Sequence, residues 1–280
     1  MSAKSGSSSR PEHIAPPEIF YNDVEASKYT DKLSGLRWRA IELMCLPDDE
    51  PQLLLDIGCG SGLSGECLDE AGHHWVGLDI SPSMLQVANE REVEGDLFLQ
   101  DLGQGMGYRP GSFDGAISIS VIQWLCNADR SEHVPKKRLL RFFSTLYTAL
   151  TRGSRAVFQF YPEGPEQVEM IMSAAMRAGF TGGLVVDYPN STKAKKYFLC
   201  LFAGYAGDQK SSPAVPKGLD SEESVEYAGK RQRDDRKKGK MANVKGKDWV
   251  LHKKELNRMR GKAKVPLDTK YTARKRKIRF

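Results

Sequence analysis

Three carboxylates, Asp56, Asp79 and Asp101, each close a short apolar run and each precede a turn marked by glycine or proline. The first follows residues 53–55 (LLL) and stands before Gly58, Gly60 and Gly62, which alternate with Cys59 and Ser61. Apolar strand, glycine turn and helix make a nucleotide-binding crevice at the carboxyl edge of a parallel sheet. Glycine lets the backbone approach a ligand where a side chain would collide. Asp79 closes residues 74–80 (HWVGLDI), 21 residues beyond Gly58. That spacing suits an acid accepting from both hydroxyls of a ribose. Asp101 closes residues 97–100, where it accepts from an adenine amino group while Leu102 packs on the ring or offers its amide. A carboxylate two residues before Gly58 belongs beside a cation, not a pyrophosphate. S-adenosylmethionine carries an ammonium and a sulfonium and no phosphate, and it fits all three acids. Gly60, Gly62 and Gly65 also spell the G-x-G-x-x-G of nicotinamide-binding folds. A dinucleotide is therefore the competing ligand, and a ligand-free turn the plainest alternative.

The methyl acceptor must meet the donor at the tip of a fourth strand, residues 113–121 (FDGAISISV), which runs into Ile122, Gln123 and Trp124. Ser120, Gln123 and Trp124 are the candidate acceptor-site residues. Trp124 stacks on a base or fills core. No His or Lys lies at this tip to act as a general base, so catalysis by positioning is expected, without a catalytic acid or base. Cys59 is expected to be a small filler rather than a nucleophile, because no helper base is near it in sequence. Residues 17–29 carry Phe20, Tyr21 and Tyr29 and supply a lid, in which Tyr29 reaches the methionine carboxylate or simply packs. The cofactor-binding set is thus Tyr29, Asp56, Gly58, Cys59, Gly60, Asp79, Ile80, Asp101, Leu102 and Ser120.

The rest of the chain builds the scaffold for this site. Helices are expected over residues 36–46, 63–71, 84–91, 139–150 and 167–178, the third opened by Ser81 as cap and Pro82 at its first turn. Further strands are expected over 155–161, 183–187 and 195–202. This alternation gives an α/β fold: a Rossmann-like seven-stranded sheet with helices on both faces. The organisation expected is a loose N-terminus (1–17), a methyltransferase domain (18–203), a polar linker (204–227) and a basic tail (228–280).

Charge separates the tail from the rest. Residues 228–280 hold 21 Lys and Arg against 5 Asp and Glu, while the other 227 residues hold 21 basic and 31 acidic groups. An acidic body with a basic tail reads as a polyanion binder whose tail is disordered when free and ordered on RNA. The terminal RKRKIR also fits a nuclear import signal. Five scattered cysteines argue against a disulfide framework, and five histidines without ligand spacing argue against a zinc site of the chain's own. No apolar run is long enough for a membrane span, and the polar N-terminus lacks the apolar core of a secretory signal.

Several stretches together resemble one family: the glycine loop, GLDISPSML, SFDGAISISVIQWLC, VVDYPNSTKAKKYFLCLF and the terminal YTARKRKIRF. They are similar to the eukaryotic 18S rRNA guanine-N7 methyltransferases, the Williams–Beuren-region class I enzymes. The resemblance runs from Arg10 to Phe280; QWLC, DYPNS and the basic terminus are its most specific parts. It implies S-adenosylmethionine-dependent methylation of one guanine N7 in 18S rRNA, and a part in pre-40S maturation and export. It implies action in the nucleus, both nucleolus and nucleoplasm, and passage to the cytoplasm. It also implies a heterodimer with a small zinc-binding activator protein that adds a strand to the sheet and covers an apolar surface. By that resemblance Asp56 and Gly58 hold the methionine end, Asp79 the ribose, Asp101 with Leu102 the adenine, and Ser120 lies near the methyl. The segment after Tyr29 is shorter than the family pattern. A small-molecule methyltransferase of the same fold would explain the body but not the tail; an assembly factor with a scaffolding role is compatible with both.

Overall fold

The computed structural model describes residues 10–28, 34–47, 50–191, 194–204 and 216–219, with residues 251, 254, 258, 267 and 268. Tyr29, most of the expected linker and nearly all of the basic tail, including RKRKIR, lie outside the described residues. The chain divides into two compact units, Met1–Glu223 and Ser224–Phe280. In the second, Asp268 is bound by Lys254 (3.0 Å) and Arg258 (2.6 Å).

The first unit is built on seven strands: β1 (Leu53–Ile57), β2 (His74–Asp79), β3 (Asp96–Leu99), β4 (Phe113–Ile119), β5 (Leu150–Phe160), β6 (Thr181–Asp187) and β7 (Lys196–Phe202). Their order across the sheet is β3-β2-β1-β4-β5-β7-β6. Neighbours from β3 to β5 are parallel, and β7 runs antiparallel to β5 and β6. After β1 the chain builds outward through β2 to β3, then returns to place β4 on the other side of β1. That reversal opens a crevice at the carboxyl ends of β1 and β4.

The helices are α1 (Pro17–Phe20), α2 (Asp23–Lys28), α3 (Ser34–Met44), α4 (Leu63–Glu70), α5 (Pro82–Glu90), α6 (Pro135–Ala149) and α7 (Pro165–Arg177). Successive strand residues point to opposite faces, and both faces are buried. Leu55, Ala116 and Phe158 join Leu139, Phe142 and Phe143 of α6 and Ile171 of α7 in one apolar cluster. Leu54, Ile117 and Val157 join Leu43 of α3, Leu68 of α4 and Leu85 of α5 in the other. Helices thus cover both faces of the sheet, as the alternation of elements implied.

Boundaries differ where sequence pattern was silent. Helix α6 starts at Pro135, ahead of the expected residue 139, because proline is pre-shaped for a first helical turn and the intervening Lys136, Lys137 and Arg138 show no apolar period. Strand β5 starts at Leu150 rather than 155. After the buried Leu150, residues 151–154 (TRGS) carry no apolar pattern, and the β4–β5 register shifts between Phe113 and Gly115. The N-terminal segment expected to be loose to residue 17 is pinned from Arg10 onward. The Arg10 guanidinium donates to the carbonyls of Tyr161 (2.9 Å) and Pro162 (3.0 Å), and Asn127 donates to the carbonyl of Glu12 (3.3 Å). Residues 216–219, expected as linker, lie along β6: Tyr188 N donates to Leu219 O (2.6 Å), and Leu219 N donates to Asp187 Oδ1 (2.8 Å).

Candidate active site

The glycine loop follows β1 directly, and Gly58, Gly60 and Gly62 all adopt left-handed φ (+72°, +54° and +82°). That conformation is open to glycine and costly for other residues, so the alternate spacing is a backbone requirement. The amides of Gly58 and Cys59 donate to Leu78 O (2.7 and 3.0 Å), which fastens the loop to β2. A Cβ on Gly58 would come within 2.2 Å of the Val121 side chain, so the tip of β4 packs directly against the loop. Gly65 has a different purpose. It lies inside α4, and a Cβ there would meet the Trp75 indole at 2.0 Å. The apparent dinucleotide fingerprint therefore ends in a packing residue.

Asp56 is the penultimate residue of β1 and is fully buried. Its Oδ2 accepts from Ser64 Oγ at 2.6 Å, while its Oδ1 has no partner among the described residues. Burial pushes its pKa up to about 7, and the neighbouring Asp79 adds to the rise; Ser64 and the Arg37 guanidinium pull the other way. Asp79 ends β2. Its Oδ2 accepts from Gly60 N and its Oδ1 from Ser81 N, both at 2.8 Å. Each oxygen keeps a second lone pair, directed by the backbone of the loop and of the α5 cap. Burial raises the Asp79 pKa, and the amides of Ser81, Gly60 and Ile80 oppose it.

A cavity of about 420 Å³ runs over these strand ends. Its walls include Gly58, Cys59, Gly60, Asp79, Ile80, Asp101, Leu102, Ser120 and Trp124, which were expected from sequence. Asp56, also expected there, is fully buried and does not line the cavity. Cys59 is buried and burial raises its thiol pKa, which keeps it a neutral filler. Asp101 lies two residues beyond β3, as the cap of a short 3-10 turn (Leu102–Gln104) rather than at a strand end. Its Oδ1 accepts from Gly103 N (2.9 Å) and from Arg138 Nη2 (2.7 Å). Gln123 does not line the cavity: it is buried and donates through Nε2 to Ser120 O (2.9 Å). Trp124 is buried, with its ring 6.0 Å from Phe20 and 5.8 Å from Tyr21. Ser81 Oγ donates to Tyr21 O (2.8 Å), fastening this aromatic lid to the β2 turn.

Sequence reasoning missed Arg37, Ser61, Ser64 and Arg138. Arg37 is buried on α3 and lines the cavity. Ser61 is buried in the loop, lines the cavity, and its hydroxyl has no partner among the described residues. The two loop serines carried a signal, since each hydroxyl sits within four residues of a loop glycine. The arginines carried none, because helix phase decides which of Arg37 and Arg39 faces inward. Arg37 and Ser61 give the cavity wall a guanidinium and a hydroxyl that suit a carboxylate, whereas Asp56 is wholly buried behind that wall. Asp79 gives the wall a carboxylate that suits a ribose.

Comparison with known proteins bears on what occupies such a cavity. A family profile described as "Methyltransferase domain" matches residues 55–158, and one described as "Methyltransferase involved in Williams-Beuren syndrome" matches residues 201–278. The chain is 54% identical over 284 residues to the mouse 18S rRNA (guanine-N(7))-methyltransferase, covering 98% of this chain and 99% of that one. It is 52% identical over 280 residues to the Saccharomyces cerevisiae 18S rRNA (guanine(1575)-N(7))-methyltransferase, covering 97% and 100%. The chain belongs to the 18S rRNA (guanine-N7)-methyltransferase family. The match to those relatives covers 97–98% of the chain, and the profile over residues 201–278 takes in most of the basic tail. Among solved structures it resembles Haemonchus contortus phosphoethanolamine N-methyltransferase 2 in complex with S-adenosyl-L-methionine, with TM-score 0.50 and 17% identity over 66% of this chain and 58% of that one. That likeness shows the class I methyltransferase fold alone.

Proposed function

We propose that this chain methylates a guanine N7 of 18S rRNA, with S-adenosylmethionine as donor, in small ribosomal subunit biogenesis. The observation that carries the donor is the buried Asp56 oxygen without a partner, set behind a loop whose other polar groups suit a carboxylate. S-adenosylmethionine supplies an electrophilic methyl on a positively charged sulfur. Asp56 accepts from its ammonium, Arg37 and Ser61 bind its carboxylate, and Asp79 binds the ribose hydroxyls. Leu102 packs on the adenine, and Asp101 accepts from its amino group while Arg138 holds that carboxylate in place.

Guanine N7 has an in-plane lone pair and no proton to lose, so the residues at the β4 tip need only align it with the methyl. The target base leaves its stack to reach the cavity, and Trp124 with Tyr21 offers it an aromatic wall. Residues 228–280 add sequence-independent, salt-sensitive attraction for RNA.

Two further parts of the reading rest on specific features. The partner is a small zinc-binding activator that pairs with β3. That strand is an edge of the sheet, and its Phe98 and Leu99 are 51% and 60% exposed; an apolar open edge invites a covering strand. The site of action is the nucleus, with passage to the cytoplasm, supported by RKRKIR at 274–279 and by a substrate made there. The test is whether N7-methylguanine in 18S rRNA depends on the chain and on its Asp79. Modification that persists without the chain overturns the proposal.

A further inference from the structure

Ser120 carries a backbone strain that its surroundings hold in place. Its φ is +62°, a left-handed conformation that is strained for a non-glycine residue. Three hydrogen bonds fix it. Ser120 N donates to Gln159 O (2.8 Å), Ser120 Oγ donates to Gln159 Oε1 (2.8 Å), and Gln123 Nε2 donates to Ser120 O (2.9 Å). Gln159 is wholly buried on β5. Its Nε2 donates to Phe160 O (3.3 Å), which leaves Oε1 as the end that faces the serine. The hydroxyl proton of Ser120 is therefore committed inward. Its oxygen lone pairs are what remain for the cavity it lines.

Position makes that polarity matter. The next residue, Val121, packs on Gly58, so Ser120 stands beside the loop that holds the amino-acid end of the donor. Asp79, which holds the ribose, is on the far side of β1. The sulfur of the donor joins those two ends.

We propose that Gln159 is a positioning residue: by taking the Ser120 proton it turns the serine oxygen into an acceptor facing the positive charge at sulfur. In the transfer the N7 lone pair forms the N–C bond as the C–S bond breaks. The bonding pair stays on sulfur, and the charge passes to the purine ring without any proton moving. An oxygen presenting only lone pairs favours a cation throughout, whereas a hydroxyl free to rotate also spends time presenting its proton. This rests on the proposed methyl transfer, and it predicts which ligands sense Ser120.

The test compares S-adenosylmethionine, a cation at sulfur, with S-adenosylhomocysteine, a neutral thioether, by calorimetry on the full chain. Ser120→Ala is expected to weaken the first on the order of tenfold, the size of one hydrogen-bond-like contact to a charge, and the second by less than about twofold. Gln159→Leu is expected to reproduce this selective loss, and the double variant to lose no more than Ser120→Ala alone. Ser120→Gly relaxes the backbone and removes the hydroxyl; it is expected to match alanine in ligand selectivity while melting higher. Equal losses for both ligands, no loss for either, or restoration by glycine would overturn the proposal. Wild-type protein that binds the cation selectively but leaves 18S rRNA unmodified would overturn the functional reading and not the role of Ser120.

Discussion

Asp56 accepts from Ser64 Oγ at 2.6 Å through one carboxylate oxygen, and the other oxygen, equally buried, has no partner among the described residues. A half-satisfied buried carboxylate is costly to fold. In the proposed site the ammonium of the donor completes it.

That cost sets a pH dependence. The folded pKa of Asp56 is raised from 3.8 to about 7 by burial. The protonated group is therefore favoured in the folded state. Its contribution to stability is full below pH 4 and is lost as the pH rises through about 7. Asp56→Asn is expected to raise the stability of the free protein at pH 8 by about 2–4 kcal/mol, with the gain vanishing near pH 4. The same variant is expected to lose measurable S-adenosylmethionine binding. Thermal melts across pH with parallel calorimetry check both; an Asn variant less stable at pH 8 would contradict the assignment.

Asp79 accepts from one loop amide, Gly60 N, and from Ser81 N at the α5 cap and, in the proposed site, from two ribose hydroxyls. Charged hydrogen bonds contribute about 1.5–3 kcal/mol each. Asp79→Ala is accordingly expected to weaken cofactor affinity at least 100-fold. Near-normal affinity by calorimetry would remove Asp79 from the site.

Arg39 and Asp187 form an ion pair away from the cavity, with Nε to Oδ2 at 3.0 Å and side chains 11% and 3% exposed. The pair also binds residues 217–219, through Arg39 Nη2 to Lys217 O (3.0 Å) and Leu219 N to Asp187 Oδ1 (2.8 Å). Arg39→Met leaves a buried carboxylate without its cation and is expected to cost about 3–5 kcal/mol of stability. Cofactor affinity of the folded fraction is expected to stay unchanged, which denaturant titration and calorimetry together determine.

Sequence made the strand ends of the cofactor site legible because a parallel sheet places its ligand residues there, and strand ends are where apolar runs stop; the order of the strands was not legible. Asp56 and Asp79 followed from that, as did the loop glycines. Asp101 and Gln123 were harder. One is offset beyond its strand to cap a 3-10 turn and is shared with Arg138, and the other turns away from the cavity to hold Ser120 O. Such choices depend on side-chain direction at a turn, which no periodicity encodes. Arg37 and Gln159 were illegible for a related reason: each reaches the site only through the way its own element, α3 or β5, packs.

Phe98 on the open edge of β3 is the most direct probe of the proposed activator surface. Phe98→Glu is expected to abolish co-purification with the zinc-binding activator and to raise the solubility of the chain expressed alone. Cofactor affinity measured on the soluble chain should hold. Undiminished co-purification would move the interface elsewhere.

Deletion of residues 228–280 removes 21 of the 42 basic residues. Affinity for 18S rRNA is expected to drop and its dependence on salt to become several units shallower, while calorimetric binding of S-adenosylmethionine stays intact. An unchanged salt slope would deny the tail a role in RNA contact.

The most direct measurement is mapping of N7-methylguanine along 18S rRNA by chemical cleavage and primer extension. Cells that carry the wild-type chain, lack it, or carry Asp79→Ala in its place are compared. The expected result is one cleavage stop in the wild type, absent in the other two. A stop of equal strength in all three would contradict guanine-N7 methylation of 18S rRNA as the activity of this chain.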